Sequence, residues 1–105
     1  MPNLKEKPCL SDFQEYVNKL ENERGFSKQT TTDKCLLLGE EVGELFKAVR
    51  KSEGLAIDSN SKFSEIGDEL SDIFIYLCAI ANRQGINLEA AFRTKEEKNK
   101  LRTWK

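Results

Sequence analysis

Acidic residues interrupt two otherwise apolar helix stripes, and this placement restricts how the chain can fold. In the first stripe, Glu41 and Glu44 stand between Leu37 and Ala48 at helical spacing. A second stripe has the same character and contains Glu65, Glu69, Asp72, Tyr76 and Ala79. Carboxylates in such positions are costly to keep ionised, because burial and mutual repulsion both raise their pKa. A bound cation is the simplest compensation.

The apolar periodicity predicts four helices, and no segment alternates as a strand would. The first helix is expected to start at Ser11 as N-cap and to end at Arg24 and Gly25. Its core residues are Phe13, Val17 and Leu20. A loop over 26–32 leads to a second helix capped by Thr32 or Asp33 and ending near 52–54. The core stripe of that helix is Leu38, Val42, Leu45 and Val49.

A polar loop over 58–62 separates the second helix from a third, predicted over 64–84 and closed by Gly85. Residues 73–81 of this helix are apolar on nearly every side, which indicates burial all round. Three short neighbouring helices cannot cover such a segment, so we expect an oligomer. Asn87 is expected to cap a fourth helix with Leu88, Ala91 and Phe92 on its apolar face. The prediction is one all-α, four-helix domain over residues 1–105.

Composition excludes several classes of function. The 17 basic and 18 acidic residues nearly cancel, so no overall charge favours nucleic acid or an anionic membrane. The longest apolar stretch is too short to span a membrane and the first residues do not resemble a signal peptide, so we expect a cytoplasmic protein. The three cysteines are widely spaced, which predicts packing thiols and no disulfide. The absence of histidine excludes Ser-His and Cys-His catalysis and Glu-x-x-His di-iron sites.

The acidic residues form two pairs with a spacing of three, Glu41 with Glu44 and Glu69 with Asp72. Facing each other across two antiparallel helices, these pairs would make a cage of four carboxylates. Such oxygen ligands suit Mg²⁺, with Mn²⁺ as a substitute, and these ions commonly share a substrate phosphate. The alternative is an ordinary solvated helix face, and spacing alone does not decide between the two.

A basic cluster near the C-terminus complements the acidic pairs. Lys95, Lys98, Asn99 and Arg102 recur at helical spacing and could receive phosphate oxygens. By themselves, these cations are better explained as a complement to the helix dipole. Together with an acidic metal cage, however, they suit a phosphoanhydride substrate.

The sequence from Glu40 to Glu44 and that from Glu69 to Asp72 resemble the EExxE and ExxD motifs of the MazG-like, all-α nucleoside triphosphate pyrophosphohydrolases. The likeness continues in order and spacing through the segments 37–45, 68–73, 76–77 and 85–88, and through Lys95 with Asn99. It implies a helical bundle that assembles as a dimer or a dimer of dimers. It also implies Mg²⁺-dependent cleavage of a nucleoside triphosphate to the monophosphate and pyrophosphate, in the service of nucleotide-pool cleaning.

The resemblance also implies roles for individual residues. The implied metal ligands are Glu41, Glu44, Glu69 and Asp72, and the implied catalytic carboxylates are Glu40 and Glu41. For Glu40 three roles remain open: binding a second ion, orienting water, or simple solvation. The implied substrate contacts are Tyr76 for sugar or phosphate and Lys95, Asn99 and Arg102 for polyphosphate. Phe26 is a candidate for stacking on a base, whereas core packing is the better interpretation of Phe13.

Two other functions are compatible with such a chain. One is a non-catalytic regulatory module that uses the apolar third helix to bind a partner, since a fold alone does not fix function. The other is metal storage in a carboxylate bundle, which the missing Glu-x-x-His motif disfavours.

Overall fold

A computed structural model describes residues 1–54 and 65–103 of the chain, and in these ranges it contains four helices and no strand. We number them α1 to α4 in chain order, with the bounds Leu10–Glu23, Thr31–Ser52, Ile66–Arg83 and Leu88–Lys100. The all-α prediction is therefore confirmed. None of these helices is both long and apolar enough to cross a membrane.

The first two helices begin earlier than predicted. Cys9, and not Ser11, is the N-cap of α1, and its backbone N–H donates to the Asp12 carboxylate at 2.8 Å. Thr30, and not Thr32 or Asp33, caps α2. The Thr30 hydroxyl accepts from the Asp33 N–H at 3.0 Å, and the Asp33 carboxylate accepts from the Thr30 N–H at 2.9 Å. Both starts are set by an acid at the third helical position, which selects the residue three before it as the cap.

The ends of α1 and α3 and the start of α4 follow the sequence. Gly25 and Gly85 lie just past α1 and α3 with φ of 78° and 65°, a conformation that favours glycine. Asn87 caps α4 as predicted, because its side chain accepts from the Ala90 N–H at 2.9 Å. The predicted loop at 58–62 and the predicted start of the third helix at 64 lie outside the described residues.

The third helix is the centre of the fold, since α3 packs against both α2 and α1, and α4 packs on α1. The core between α1 and α3 is built from Val17, Leu20, Cys78 and Ala79. The Phe13 ring packs edge-on against Phe74 at 5.2 Å between centroids, which confirms its core role. This arrangement leaves α2 supported by α3 on one side.

Apolar side chains of α2 and α3 are less covered than predicted. In the core stripe expected for α2, Leu38, Val42 and Leu45 are only half-buried and Val49 is 40% exposed. In the segment 73–81, for which an oligomer is expected to provide the cover, Leu77 is 43% exposed within one protomer. The reason is the helix arrangement: within one protomer, the described helices cover only one side of α2 and part of α3.

The cysteines differ in environment. Cys78 is fully buried among apolar neighbours, and burial raises the pKa of its thiol to about 11. It is the packing thiol that the sequence predicts. Cys9, the N-cap of α1, and Cys35 on α2 are exposed instead, and all three thiols are free.

Candidate functional site

Three acidic side chains converge where α2 packs on α3. Glu41, Glu69 and Asp72 each direct one carboxylate oxygen to a common point, and these oxygens lie within 4.8 Å of one another. Glu69 is 5% exposed, Glu41 is half-buried and Asp72 lies at the rim. We call these three residues the acidic cluster. It contains both predicted acids of α3 and one of the two predicted acids of α2.

The acidic cluster is under electrostatic strain. A hydrogen bond with the Glu69 carboxyl group, burial and the neighbouring negative charges together raise the pKa of Glu41 to about 7. Burial, followed by the charges of Glu69 and Asp68, also raises the pKa of Asp72. A hydrogen bond between two carboxyl groups requires a proton on one of them. In the metal-free protein the cluster therefore retains protons that isolated carboxylates would release.

The two remaining predicted acids lie beside the cluster. The Glu44 carboxylate is 3.7 Å from the Lys47 ammonium on the next turn of α2, and it adds to the repulsion that raises the Glu41 pKa. It is not among the carboxylates that meet within 4.8 Å. Glu40 is exposed on α2 and contributes to the negative field around Tyr76.

The donor set of the acidic cluster fits a hard divalent cation. Three carboxylates offer only oxygen atoms, which suits Mg²⁺ or Mn²⁺ and not zinc or copper. A divalent ion would replace the protons now shared by the cluster and remove the repulsion between its members. One rotatable acid, Glu44, stands one helical turn from Glu41 and is available as a further ligand.

A pocket of about 160 Å³ extends from the acidic cluster toward the C-terminal end of α1. Its walls include two aromatic side chains, Phe26 and Tyr76, together with Glu41 and Asp72. Burial, with the nearby charges of Glu41 and Asp72, raises the pKa of the Tyr76 hydroxyl. The structure therefore brings the predicted base-stacking and sugar-contacting residues to the same opening as the acids.

Sequence reasoning missed an ion group formed by Glu21, Lys34 and Arg83, of which Glu21 and Lys34 line this pocket. The Glu21 carboxylate accepts from Arg83 at 2.6 and 3.0 Å and lies 2.9 Å from the Lys34 ammonium. Burial acts to raise the pKa of Glu21, but the hydrogen bonds from Arg83 and Lys34 outweigh it and hold that pKa below its usual range. The group joins α1, α2 and α3.

A signal for two members of this ion group was present in the sequence. The first acidic stripe, continued one turn toward the N-terminus from Leu37, reaches Lys34. The second stripe, continued one turn past Ala79, reaches Arg83. Both cations therefore lie on the same helix faces as the acidic cluster.

The predicted polyphosphate contacts lie elsewhere in the protomer. Lys95 and Asn99 are on α4 and Arg102 follows its end, and none of the three lines the pocket beside the acidic cluster. The helix contacts explain this, because α4 packs mainly on α1. The Asn99 side-chain oxygen is buried and accepts no hydrogen bond from any described residue.

Comparison with known proteins gives a family and two similar structures. The family described as the MazG nucleotide pyrophosphohydrolase domain matches residues 28–104. Among solved structures, the chain is similar to Ctag-iMazG from Vibrio DAT 722, with 30% identity over 90% of this chain and all of that one, and a TM-score of 0.69. Ntag-iMazG from the same source is 28% identical over 93% of this chain and all of its own, also with a TM-score of 0.69. No curated protein sequence matches.

Proposed function

Given that this chain belongs to the MazG nucleotide pyrophosphohydrolase domain family, we propose that it is a Mg²⁺-dependent nucleoside triphosphate pyrophosphohydrolase. The reaction is hydrolysis of a ribo- or deoxyribonucleoside triphosphate between its α and β phosphates. Its products are the nucleoside monophosphate and pyrophosphate. The biological use that we propose is nucleotide-pool cleaning in the cytoplasm.

The observation that carries this proposal is the convergence of Glu41, Glu69 and Asp72 within 4.8 Å. These residues would hold the ion, with Glu44 joining from the next turn of α2. Bound Mg²⁺ would supply charge neutralisation at the phosphate oxygens and help orient the triphosphate. Mn²⁺ would substitute because it prefers the same oxygen ligands.

The chain's own residues supply the remaining chemistry. A carboxylate of the cluster, with Glu41 as the best candidate, accepts the proton of the water that attacks the α phosphorus in line. Glu40 is exposed on α2 next to Glu41, and its proposed role is to orient that water. Phe26 and Tyr76 provide apolar surface for the nucleoside part of the substrate beside the acids. No covalent intermediate is required, in keeping with the absence of histidine.

The proposed assembly is a homodimer or homotetramer. The exposed apolar side chains on the α2 and α3 side of the protomer, including Leu36, Phe46, Leu70 and Leu77, support it. We propose further that Lys95, Asn99 and Arg102 hold the polyphosphate. Since α4 does not line the pocket within one protomer, that role requires the assembly to bring an α4 to the acidic cluster.

Product analysis in ¹⁸O-labelled water tests the proposed reaction. With Mg²⁺ and each standard or damaged triphosphate in turn, the label should enter the monophosphate only, and pyrophosphate should be released intact. Asp72→Asn should reduce turnover by orders of magnitude, because it removes a ligand charge while preserving size. Label in orthophosphate as a primary product, or near-parental turnover by Asp72→Asn, would contradict the proposal. A complete lack of turnover with a tight protein partner would instead support the regulatory function.

A further inference from the structure

Lys34 is the one lysine that is buried in the described parts of the chain, with 3% of its surface exposed. Its ammonium nitrogen lies 5.0 Å from the centroid of the Phe26 ring and 5.4 Å from that of the Tyr76 ring. Both rings line the pocket beside the acidic cluster. A buried cation thus contacts two aromatic walls of one pocket.

Neutralisation of Glu21 does not explain why Lys34 is buried. Arg83 already engages both oxygens of the Glu21 carboxylate, at 2.6 and 3.0 Å. The ion group of one acid and two bases therefore carries one excess positive charge, and burying an excess charge is unfavourable unless other groups compensate it. Cation–π contacts with the Phe26 and Tyr76 rings contribute to that compensation.

The contacts of Lys34 separate its action from that of the metal ligands. Lys34 lines the same pocket as Glu41 and Asp72. Its ammonium forms an ion pair with Glu21 at 2.9 Å and cation–π contacts with the Phe26 and Tyr76 rings. Lys34 therefore acts on the aromatic part of the pocket.

We propose that Lys34 is a positioning residue that holds the Phe26 and Tyr76 rings in place as the walls of a nucleoside subsite next to the acidic cluster. The inference rests on the proposed function, because it assigns the base or sugar of a nucleotide to these walls and leaves the phosphates to the acids and their ion. Phe26 is 40% exposed, so part of its ring surface remains open to a base. Fixing the two rings before binding lowers the ordering cost of the bound state.

The test compares ligands with and without a nucleoside. Lys34→Met keeps the apolar stem, and Glu21 keeps its bidentate partner Arg83. Calorimetry with Mg²⁺ measures binding of the α,β-imido analogues of dATP, dCTP, dGTP and dUTP, and of inorganic triphosphate. We expect Lys34→Met to weaken the best-bound analogue on the order of tenfold, since two cation–π contacts are lost. Inorganic triphosphate has no nucleoside, so its affinity for Lys34→Met should equal its affinity for the parent.

Three further variants sharpen the test. Lys34→Arg retains a cation able to contact both rings and should restore most of the affinity. Lys19→Met removes an exposed ion pair on α1, 3.2 Å from Glu15, and should bind every probe as the parent does. Phe26→Leu removes one wall at an exposed position, so it should fold even if Lys34→Met does not, and it should weaken the analogues but not inorganic triphosphate.

The outcomes distinguish this inference from the proposed function. Parental analogue affinity in Lys34→Met, or in Phe26→Leu if the lysine variant does not fold, overturns the inference. An equal loss for analogues and inorganic triphosphate also overturns it, because the lysine would then only support the fold. If the parent binds the analogues but hydrolyses no triphosphate, the proposed function fails. The role of Lys34 is then decided by the ratio of parental to variant affinity for the analogues, compared with the same ratio for inorganic triphosphate. If the parent binds no analogue, both fail.

Discussion

Replacing Glu41 with glutamine should stabilise the metal-free protein above neutral pH. In the folded protein the Glu41 pKa is about 7, whereas the ordinary value is 4.5. Below pH 4.5 the group is protonated in both the folded and the unfolded chain, so it exerts no penalty. Between pH 4.5 and 7 the unfolded chain releases this proton while the folded chain, with Glu69 and Asp72 beside Glu41, still holds it, so stability falls as the pH rises and the loss is complete above pH 7. Glutamine cannot ionise and avoids this loss.

The size of the effect follows from the pKa difference. At about 1.4 kcal/mol per pKa unit, the shift from 4.5 to about 7 sets an upper limit of about 3 kcal/mol at pH 8. Glu41 is only half-buried, and solvent screening reduces this figure, so we expect a gain of about 1–2 kcal/mol. At pH 4 the variant and the parent should be equally stable to within about 0.5 kcal/mol.

Urea denaturation in EDTA at pH 4 and pH 8, at one fixed protein concentration, measures the effect. Glu40→Gln is the matched control, since it removes an exposed carboxylate from the adjacent position of α2 and should change stability little at either pH. Mg²⁺ at pH 8 should stabilise the parent more than Glu41→Gln. A Glu41→Gln protein that is less stable than the parent at pH 8, or a difference that is equal at both pH values, would refute the reasoning.

The remaining predictions concern the ion group, the basic residues of α4 and the assembly. Glu21→Ala leaves Lys34 and Arg83 together without their shared carboxylate. Urea denaturation should show that this variant loses about 3–5 kcal/mol of unfolding free energy. The control Lys19→Ala, at an exposed ion pair, should lose less than about 1 kcal/mol. Comparable losses would mean that the buried group does not support the fold. Lys95→Ala should reduce the catalytic efficiency with triphosphates roughly ten- to a hundredfold, because a charge-assisted contact is worth about 1.5–3 kcal/mol. The order of preference among bases should not change. Steady-state kinetics measures both, and a parental catalytic efficiency would contradict the prediction. Light scattering at low micromolar concentration should report at least a dimer, and a folded, active monomer would remove the case for obligate assembly.

The sequence alone determined which segments are helical and which faces carry acids. These properties depend on local interactions: the 3.6-residue period, the Asn87 cap and the glycines with positive φ act within a turn or two of chain. Even so, the starts of α1 and α2 were misplaced, because several capping residues compete within four positions and Asp12 and Asp33 decide between them.

Only the tertiary structure decided which of those faces are covered, because burial depends on how helices pair across long stretches of chain. Packing of α2 on α3 selects Glu41, and not Glu44, to meet Glu69 and Asp72. The sequence places Lys34 on the acidic face of α2, but only the tertiary structure buries it beside the Phe26 and Tyr76 rings, because lysine is a residue type that is usually exposed. Packing of α4 on α1 likewise keeps Lys95 away from the pocket of its own protomer, although spacing along the chain gives no sign of it.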